Sequence, residues 1–231
     1  MNILIIGASG GIGSQLVNDL AEKNANLLLG YHSNPTSGSA KSICIDARDF
    51  ESVMSFVQYG KDSFGEINGV VNLSGSLVLK PAHLCSEQEF ENTINTNLKT
   101  AFATVRACGS LLSNASIVLM STAATSIGLA NHELIASSKA GVEGLALSAS
   151  KTYAKKNLRF NTVSPGLVET PLTKSITSSE VSLVASKKLH SLSRIGTPKN
   201  ISNMIRFLLN KENDWITGQN YVVDGGLSSS K

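Results

Sequence analysis

The stretch whose reading decides the fold is Asn2–Gly13, NILIIGASGGIG. Its first half, Asn2–Ile6, is apolar without alternation, the pattern of a strand covered on both faces. Its second half spaces Gly7, Gly11 and Gly13 as G-x-x-x-G-x-G at the opening of a helix. Glycine lets the backbone turn tightly and lets a phosphate come close. The helix N-terminus adds free N–H groups and a favourable dipole. A glycine-rich turn alone is a weak signal, but between a strand and a helix it reads as a pyrophosphate cradle, with Ser9 and Ile12 beside the glycines.

Outward from this turn, short β-rich runs alternate with longer helical stretches. The strand candidates are Asn2–Ile6, Asn26–Gly30, Ser42–Ile45, Gly69–Asn72, Ser116–Met120, Arg159–Val163 and Tyr221–Val223. The helix candidates lie near Gly11–Glu22, Asp49–Gln58, Glu87–Leu112, His132–Lys155 and Lys199–Leu209. The pattern predicts an α/β fold, a single Rossmann-type domain over 1–231 with a doubly wound parallel sheet of about seven strands and helices on both faces. No internal repeat interrupts it. The one compositional shift, the Ser/Thr/Lys-rich segment 172–193, reads as a flap over a site.

A chain of 231 residues suffices for one sizeable α/β domain. With 42% hydrophobic and 16% charged residues it has the composition of a globular core. The net charge of +3 comes from scattered lysines and arginines, apart from pairs such as Lys155-Lys156 and Lys187-Lys188, which read as solvated helix faces. That excludes a nucleic-acid footprint. No apolar run reaches membrane-spanning length, and the N-terminal run lacks the basic residues of a signal peptide. Cys44, Cys85 and Cys108 form no C-x-x-C and read as reduced thiols of a cytoplasmic protein. The four histidines show no metal-ligand spacing, and no G-x-S-x-G elbow is present.

With the strands and the glycine turn in place, the chain resembles the short-chain dehydrogenase/reductase family, with a 3-oxoacyl-carrier-reductase flavour, along nearly its whole length. ICIDARD is similar to the family's segment after the third strand, which implies that Asp46 meets the adenine amino group. NLSG keeps the Asn-x-x-Gly frame with Asn72 and Gly75. INTNLKTAF implies Asn97 as the structural and proton-relay asparagine. VSPGLVETPL resembles the Pro-Gly loop, with Pro165 and Gly166 in the turn and Val168 and Thr170 against the nicotinamide carboxamide. The tail LSRIGTPKNISNMIRFLLN…WITGQNYVVDGG resembles the family's last helix and strand.

In such folds an acid ending the second strand takes the ribose hydroxyls and repels a 2′-phosphate. Here that place falls on Tyr31, followed by His32, Ser33 and Asn34. The missing acid favours NADP(H) over NAD(H), although Gly10 stands where NADP-preferring relatives often carry Arg or Lys.

The family's usual chemistry is hydride transfer to a carbonyl. A tyrosine supplies the proton, a lysine one helical turn on holds the nicotinamide ribose, and a serine binds the substrate oxygen. In GLANHELIASSKAGVEGL, Gly128–Leu145, the lysine is Lys139, but the tyrosine position is Ile135, which has no proton to give. The serine position is Thr122, with Ser121 before it. Seven residues before Lys139, about two helical turns and so on the same face, stands His132. Divergent enoyl reductases of the family carry their tyrosine at that longer spacing, and histidine donates protons near neutral pH. The alternative is that His132 merely flanks the helix start. Tyr153, about 21 Å past Lys139 along a helix, is out of reach. His83 falls in the right region with nothing to fix its direction.

Two functions are consistent with these residues. The first is an NADP(H)-dependent oxidoreductase acting on a carbonyl or conjugated enone/enoyl group of a small or carrier-bound substrate. Thr122, Lys139 and Asn97 would form its site, with His132 or water as proton donor. The second is a catalytically silent relative, a nucleotide-binding sensor or structural subunit. Under both, the resemblance implies a homo-oligomer, dimer or tetramer, joined through the long helices.

Overall fold

In a computed structural model of the chain, residues 1–36 and 40–230 are described. The strands are β1 (Asn2–Ile6), β2 (Asn26–Tyr31), β3 (Lys41–Cys44), β4 (Gly69–Asn72), β5 (Ser116–Met120), β6 (Arg159–Pro165) and β7 (Asn220–Val223). They form one sheet in the order β3-β2-β1-β4-β5-β6-β7, every neighbouring pair parallel. The apolar runs have the expected cause. Leu4 and Ile6 of β1 join a core on one face of the sheet, and Ile3 and Ile5 join a second core on the other. Val70 and Val71 of β4 divide in the same way, as do Ile117 and Val118 of β5.

The helices are α1 (Gly11–Ala21), α2 (Phe50–Phe64), α3 (Glu87–Ile94), α4 (Thr100–Leu111), α5 (Glu133–Thr152), α6 (Lys174–Thr177), α7 (Glu180–Leu189) and α8 (Pro198–Leu209). α2, α4 and α5 cover one core with Phe56, Val105 and Val142 among others; α1 and α8 cover the second with Leu16, Leu20, Ile201 and Ile205. Between α1 and α8 the buried Asp19 carboxylate takes hydrogen bonds from Lys199 Nζ at 2.5 Å and Ser202 Oγ at 2.5 Å, with Arg206 Nη1 at 3.9 Å.

The long helix expected over Glu87–Leu112 runs from Glu87 to Leu111 with one irregularity. A π turn, Asn95–Lys99, separates α3 from α4. The helix expected over His132–Lys155 runs from Glu133 to Thr152, followed by a single 3-10 turn, Ala154–Lys156. Lys155 and Lys156 are exposed on it, and Lys156 Nζ donates to the Gly109 carbonyl at 2.5 Å near the end of α4. Residues 172–193 hold α6 and α7, neither of which has a buried residue. With no buried face there is no apolar period to reveal them. Among the described residues no helix is long and apolar enough to cross a membrane, and no three His, Cys, Asp or Glu cluster as metal ligands. The three cysteines are free; burial pushes the Cys108 thiol, in the core, up to about 12.

Strand order reverses its direction of growth between β1 and β4, which opens a crevice beyond the carboxyl ends of these strands. The glycine turn after β1 and the loops after β4, β5 and β6 converge there.

Candidate active site

The turn after β1 is built for an anion. Gly7 has φ +79°, and the Cβ it lacks would lie 3.0 Å from Leu73 C and Ser74 N. A Cβ on Gly13 would lie 2.5 Å from the Gly7 carbonyl oxygen, so α1 can start this close to the turn only without one. Gly10 caps α1 with no side-chain hydrogen bond, and no acid stands in the first turn. The first-turn amides, Gly11 to Gly13, therefore receive no capping side chain, as an incoming phosphate requires. This cradle fits a dinucleotide pyrophosphate. Gly11 meets the loop after β6, since its missing Cβ would lie 2.9 Å from Thr170 Cβ.

At the end of β4 the buried Asn72 donates to Thr104 Oγ1 at 2.9 Å and accepts the Ser74 amide at 2.8 Å, tying the loop to α4. Asn97 sits inside the π turn and is buried. Its Nδ2 donates to Ser76 Oγ at 3.1 Å and to the Thr93 carbonyl at 3.0 Å. A Cβ on Gly75 would lie 3.1 Å from Asn97 Oδ1 and 3.6 Å from Lys139 Nζ. Gly75, Asn97 and Lys139 thus come together, with the Ser76 hydroxyl beside them. The sequence reading passed over Ser76, because only the fold brings it to Asn97.

Lys139 is 6% exposed, and its Nζ donates to the Met120 carbonyl at 2.9 Å. It forms no salt bridge among the described residues, and burial pushes its ammonium down to about 8. One turn earlier Ile135 is buried, 4% exposed.

After β5, Ser121 and Thr122 divide their work. Ser121 Oγ donates to Glu143 Oε1 at 2.6 Å, and the same oxygen accepts Thr125 Oγ1 at 2.7 Å and Ser164 Oγ at 3.3 Å. Glu143, one turn past Lys139, therefore binds the loop after β5 to α5 and β6, a role that no local spacing signals. Thr122 Oγ1 accepts the Ala124 amide at 3.3 Å, which leaves its O–H proton without a partner among the described residues.

His132 occupies the N-cap of α5 but makes no capping bond with its side chain. Its Nδ1 lies 2.7 Å from the Ala130 carbonyl oxygen, so Nδ1 carries a proton and Nε2 is the second ring position. The residue is half-buried. His83 is exposed on a 3-10 turn, Ala82–Leu84, and Tyr153 packs against Phe160 in the core.

Asp46 is held by its neighbour. Arg48 donates through Nε at 2.9 Å and Nη2 at 2.8 Å, and this fork holds the Asp46 carboxyl down at about 2. Asp46, Arg48, Asp49, Phe50 and Lys99 line an open groove of about 480 Å³. At the end of β2, His32 Nδ1 lies 2.9 Å from Ser33 Oγ. After Pro165 and Gly166, the buried Val168 bridges Gly196, and Thr173 Oγ1 donates to the Val168 carbonyl at 2.6 Å.

A family profile described as enoyl-(acyl carrier protein) reductase matches residues 7–228. The chain is 29% identical to a 3-oxoacyl-[acyl-carrier-protein] reductase of Thermotoga maritima, over 97% of this chain and 96% of that protein. It is also 29% identical to a hydroxynaphthalene reductase-like protein of Metarhizium anisopliae, over 96% and 93%. The ligand-free aldohexose dehydrogenase of Thermoplasma acidophilum superposes with a TM-score of 0.91 at 26% identity, over 98% of this chain and 94% of that one. NADP-bound ElxO superposes with a TM-score of 0.88 at 26% identity, over 99% and 98%. With the crevice, the glycine cradle and the buried lysine on the same end of the sheet, these matches agree: the chain belongs to the short-chain dehydrogenase/reductase family of oxidoreductases.

Proposed function

We propose that the chain is an NADP(H)-dependent oxidoreductase that reduces a carbonyl or a conjugated carbon–carbon double bond in a small or carrier-bound substrate, with a proton donor other than tyrosine. The observation that carries this reading is Lys139: a buried cation without a carboxylate, beside Gly75 and Asn97 and against the end of β5. A buried charge with no counter-ion is expensive for a fold to keep unless a polar ligand completes its surroundings. A reduced nicotinamide, when bound, supplies the hydride.

The chain's own residues do the rest. The turn Gly7–Gly13, with Ser9 and Ile12, would hold the pyrophosphate, and Lys139 the ribose hydroxyls. Val168 and Thr170 would face the carboxamide, and Asp46 the adenine, Arg48 fixing the carboxylate in place. The unspent proton of Thr122 would hydrogen-bond the substrate oxygen. A conjugated enone or thioester suits such a site, since its oxygen needs only polarisation while carbon is protonated separately. His132, its Nδ1–H held by the Ala130 carbonyl, would give that proton from Nε2 when the ring is doubly protonated, or an ordered water would.

The preference for NADP(H) rests on the absence of an acid at Tyr31–Asn34 and is supported by NADP-bound ElxO, and by a tyrosine-to-phenylalanine variant of it with NADPH bound. Exposed Phe90 and Phe102 on α3 and α4 and Leu147 on α5 support self-association through these helices. Free thiols at Cys44, Cys85 and Cys108 support a cytoplasmic setting.

The buried Ile135 favours one other reading, a catalytically silent relative that acts as a nucleotide-binding sensor or a structural subunit. Titration with NADPH and NADH, followed by assays on enones and ketones with wild type and His132→Gln, separates the two. Micromolar NADPH binding with enone turnover that falls in the variant supports the enzyme. Binding without turnover supports the nucleotide-binding sensor, and no binding of either nucleotide leaves only the structural subunit.

A further inference from the structure

In the segment from α7 to α8 the usual sorting of side chains is inverted. Leu189 and Leu192 are 56% and 63% exposed, whereas His190 between them is 4% exposed. A histidine goes inside in preference to two leucines when its nitrogens are engaged there.

Both are. Nδ1 lies 2.7 Å from the Ser186 carbonyl oxygen, which can only accept, so Nδ1 carries the proton. Nε2 lies 3.3 Å from the Leu167 amide nitrogen, which can only donate, so Nε2 presents its lone pair. The contacts assign one neutral tautomer. The ring also leans on two glycines: a Cβ on Gly166 would lie 2.8 Å from Nε2, and one on Gly225 3.8 Å from Cδ2. The neighbouring carboxylate, Asp224, is already occupied by the Gly226 amide at 2.9 Å, the Ser228 amide at 2.8 Å and Ser228 Oγ at 2.6 Å.

His190 therefore joins three segments that share no strand or helix: the end of α7, the loop after β6, and the turn after β7. The Leu167 carbonyl is fixed from the same side, accepting the Gly196 amide at 2.8 Å. One residue further on, Val168 begins the stretch that faces the nicotinamide in the proposed function.

We infer that His190 is a positioning residue: by accepting the Leu167 amide at Nε2 it sets the loop Gly166–Thr170 for the nicotinamide half of the cofactor and couples that loop to α7. This rests on the dinucleotide reading above. It acts through the backbone of Leu167, so it touches neither the adenine half nor the reacting atoms.

The test splits the cofactor. Calorimetric titrations of NADPH and of 2′,5′-ADP, which has no nicotinamide, are run on wild type, His190→Leu and His190→Gln, with folding checked by thermal denaturation. NADH and AMP replace them if the chain prefers NADH. The expected result is at least tenfold weaker NADPH binding in His190→Leu, less than twofold change for 2′,5′-ADP, and recovery to within threefold in His190→Gln, whose side-chain oxygen can accept the amide. Equal losses for both ligands, or none, would overturn the inference while leaving the oxidoreductase reading standing. Failure of the wild-type chain to bind either dinucleotide would overturn both. Should His190→Leu not fold, the wild-type imidazole ¹⁵N spectrum decides: an Nδ1–H tautomer is expected, and an Nε2–H tautomer ends the idea.

Discussion

Ile135 and Lys139 stand one turn apart on α5, both side chains buried. Ile135→Tyr places a phenol one turn before the lysine. We expect the variant to raise NADPH-dependent ketone reduction at least tenfold, measured by loss of absorbance at constant protein concentration. A variant that binds NADPH but stays inert on a panel of ketones would show a pocket that has diverged beyond this chemistry.

The burial of Lys139 makes stability depend on pH in a defined direction. Its ammonium is held at about 8 in the fold against 10.5 when unfolded, so between these values the unfolded chain binds more protons. Stability from this group is complete above 10.5, is lost as pH falls to 8, and the full difference is about 3 kcal/mol. Urea denaturation from pH 7.5 to 10 should show a rise in wild type that Lys139→Met lacks, with the variant the more stable at pH 7.5. The same variant should lose nucleotide affinity.

Gly13 and Gly144 predict opposite outcomes for one substitution. A Cβ at Gly13 meets backbone oxygens of Gly7 and Ala8 at 2.5 and 2.6 Å, which cannot give way. Gly13→Ala should cost about 2 kcal/mol and abolish dinucleotide binding. Gly144 lies within α5 with nothing within 4 Å of its missing Cβ. Gly144→Ala should stabilise by about 0.5–1 kcal/mol, read by thermal or urea denaturation.

Asp19 gives an acid-side prediction. Burial pushes its carboxyl up, but hydrogen bonds from Lys199, Ser202 and Gln15 and the Lys199 charge outweigh this and leave it below the usual value. Its contribution is therefore present above about pH 4 and is lost as pH falls through the lowered value. Asp19→Asn weakens the hydrogen bonds from Lys199 and Ser202 and, with Lys199 half exposed, should cost about 1–2 kcal/mol at pH 7 in chemical denaturation. The difference from wild type should shrink below pH 4.

The strands were legible because burial on both faces writes itself as unbroken apolar runs; NILII, GVVN and SIVLM are bounded as the sequence predicts. The glycine turn was legible because its constraint is local. What escaped depends on distant partners or on missing periodicity. α7 has no buried face and so no pattern. Ser76 reaches Asn97 across 21 residues, and Glu143 gathers hydroxyls from Ser121 and Ser164 that lie about as far away in sequence. His190 stands at no metal-ligand spacing in the sequence, yet its neighbours in space are Ser186, Leu167 and Gly225.

The π turn at Asn95–Lys99 closes its hydrogen bonds one residue further along than an α turn would. The chain there is one residue longer than a continuous helix needs. Deleting Thr96 would let α3 and α4 merge into a regular helix, with Phe90 and Val105 still on their present sides, while Asn97 would be drawn away from Ser76. At this one place a shorter chain would keep its core and give up the Asn97–Ser76 contact.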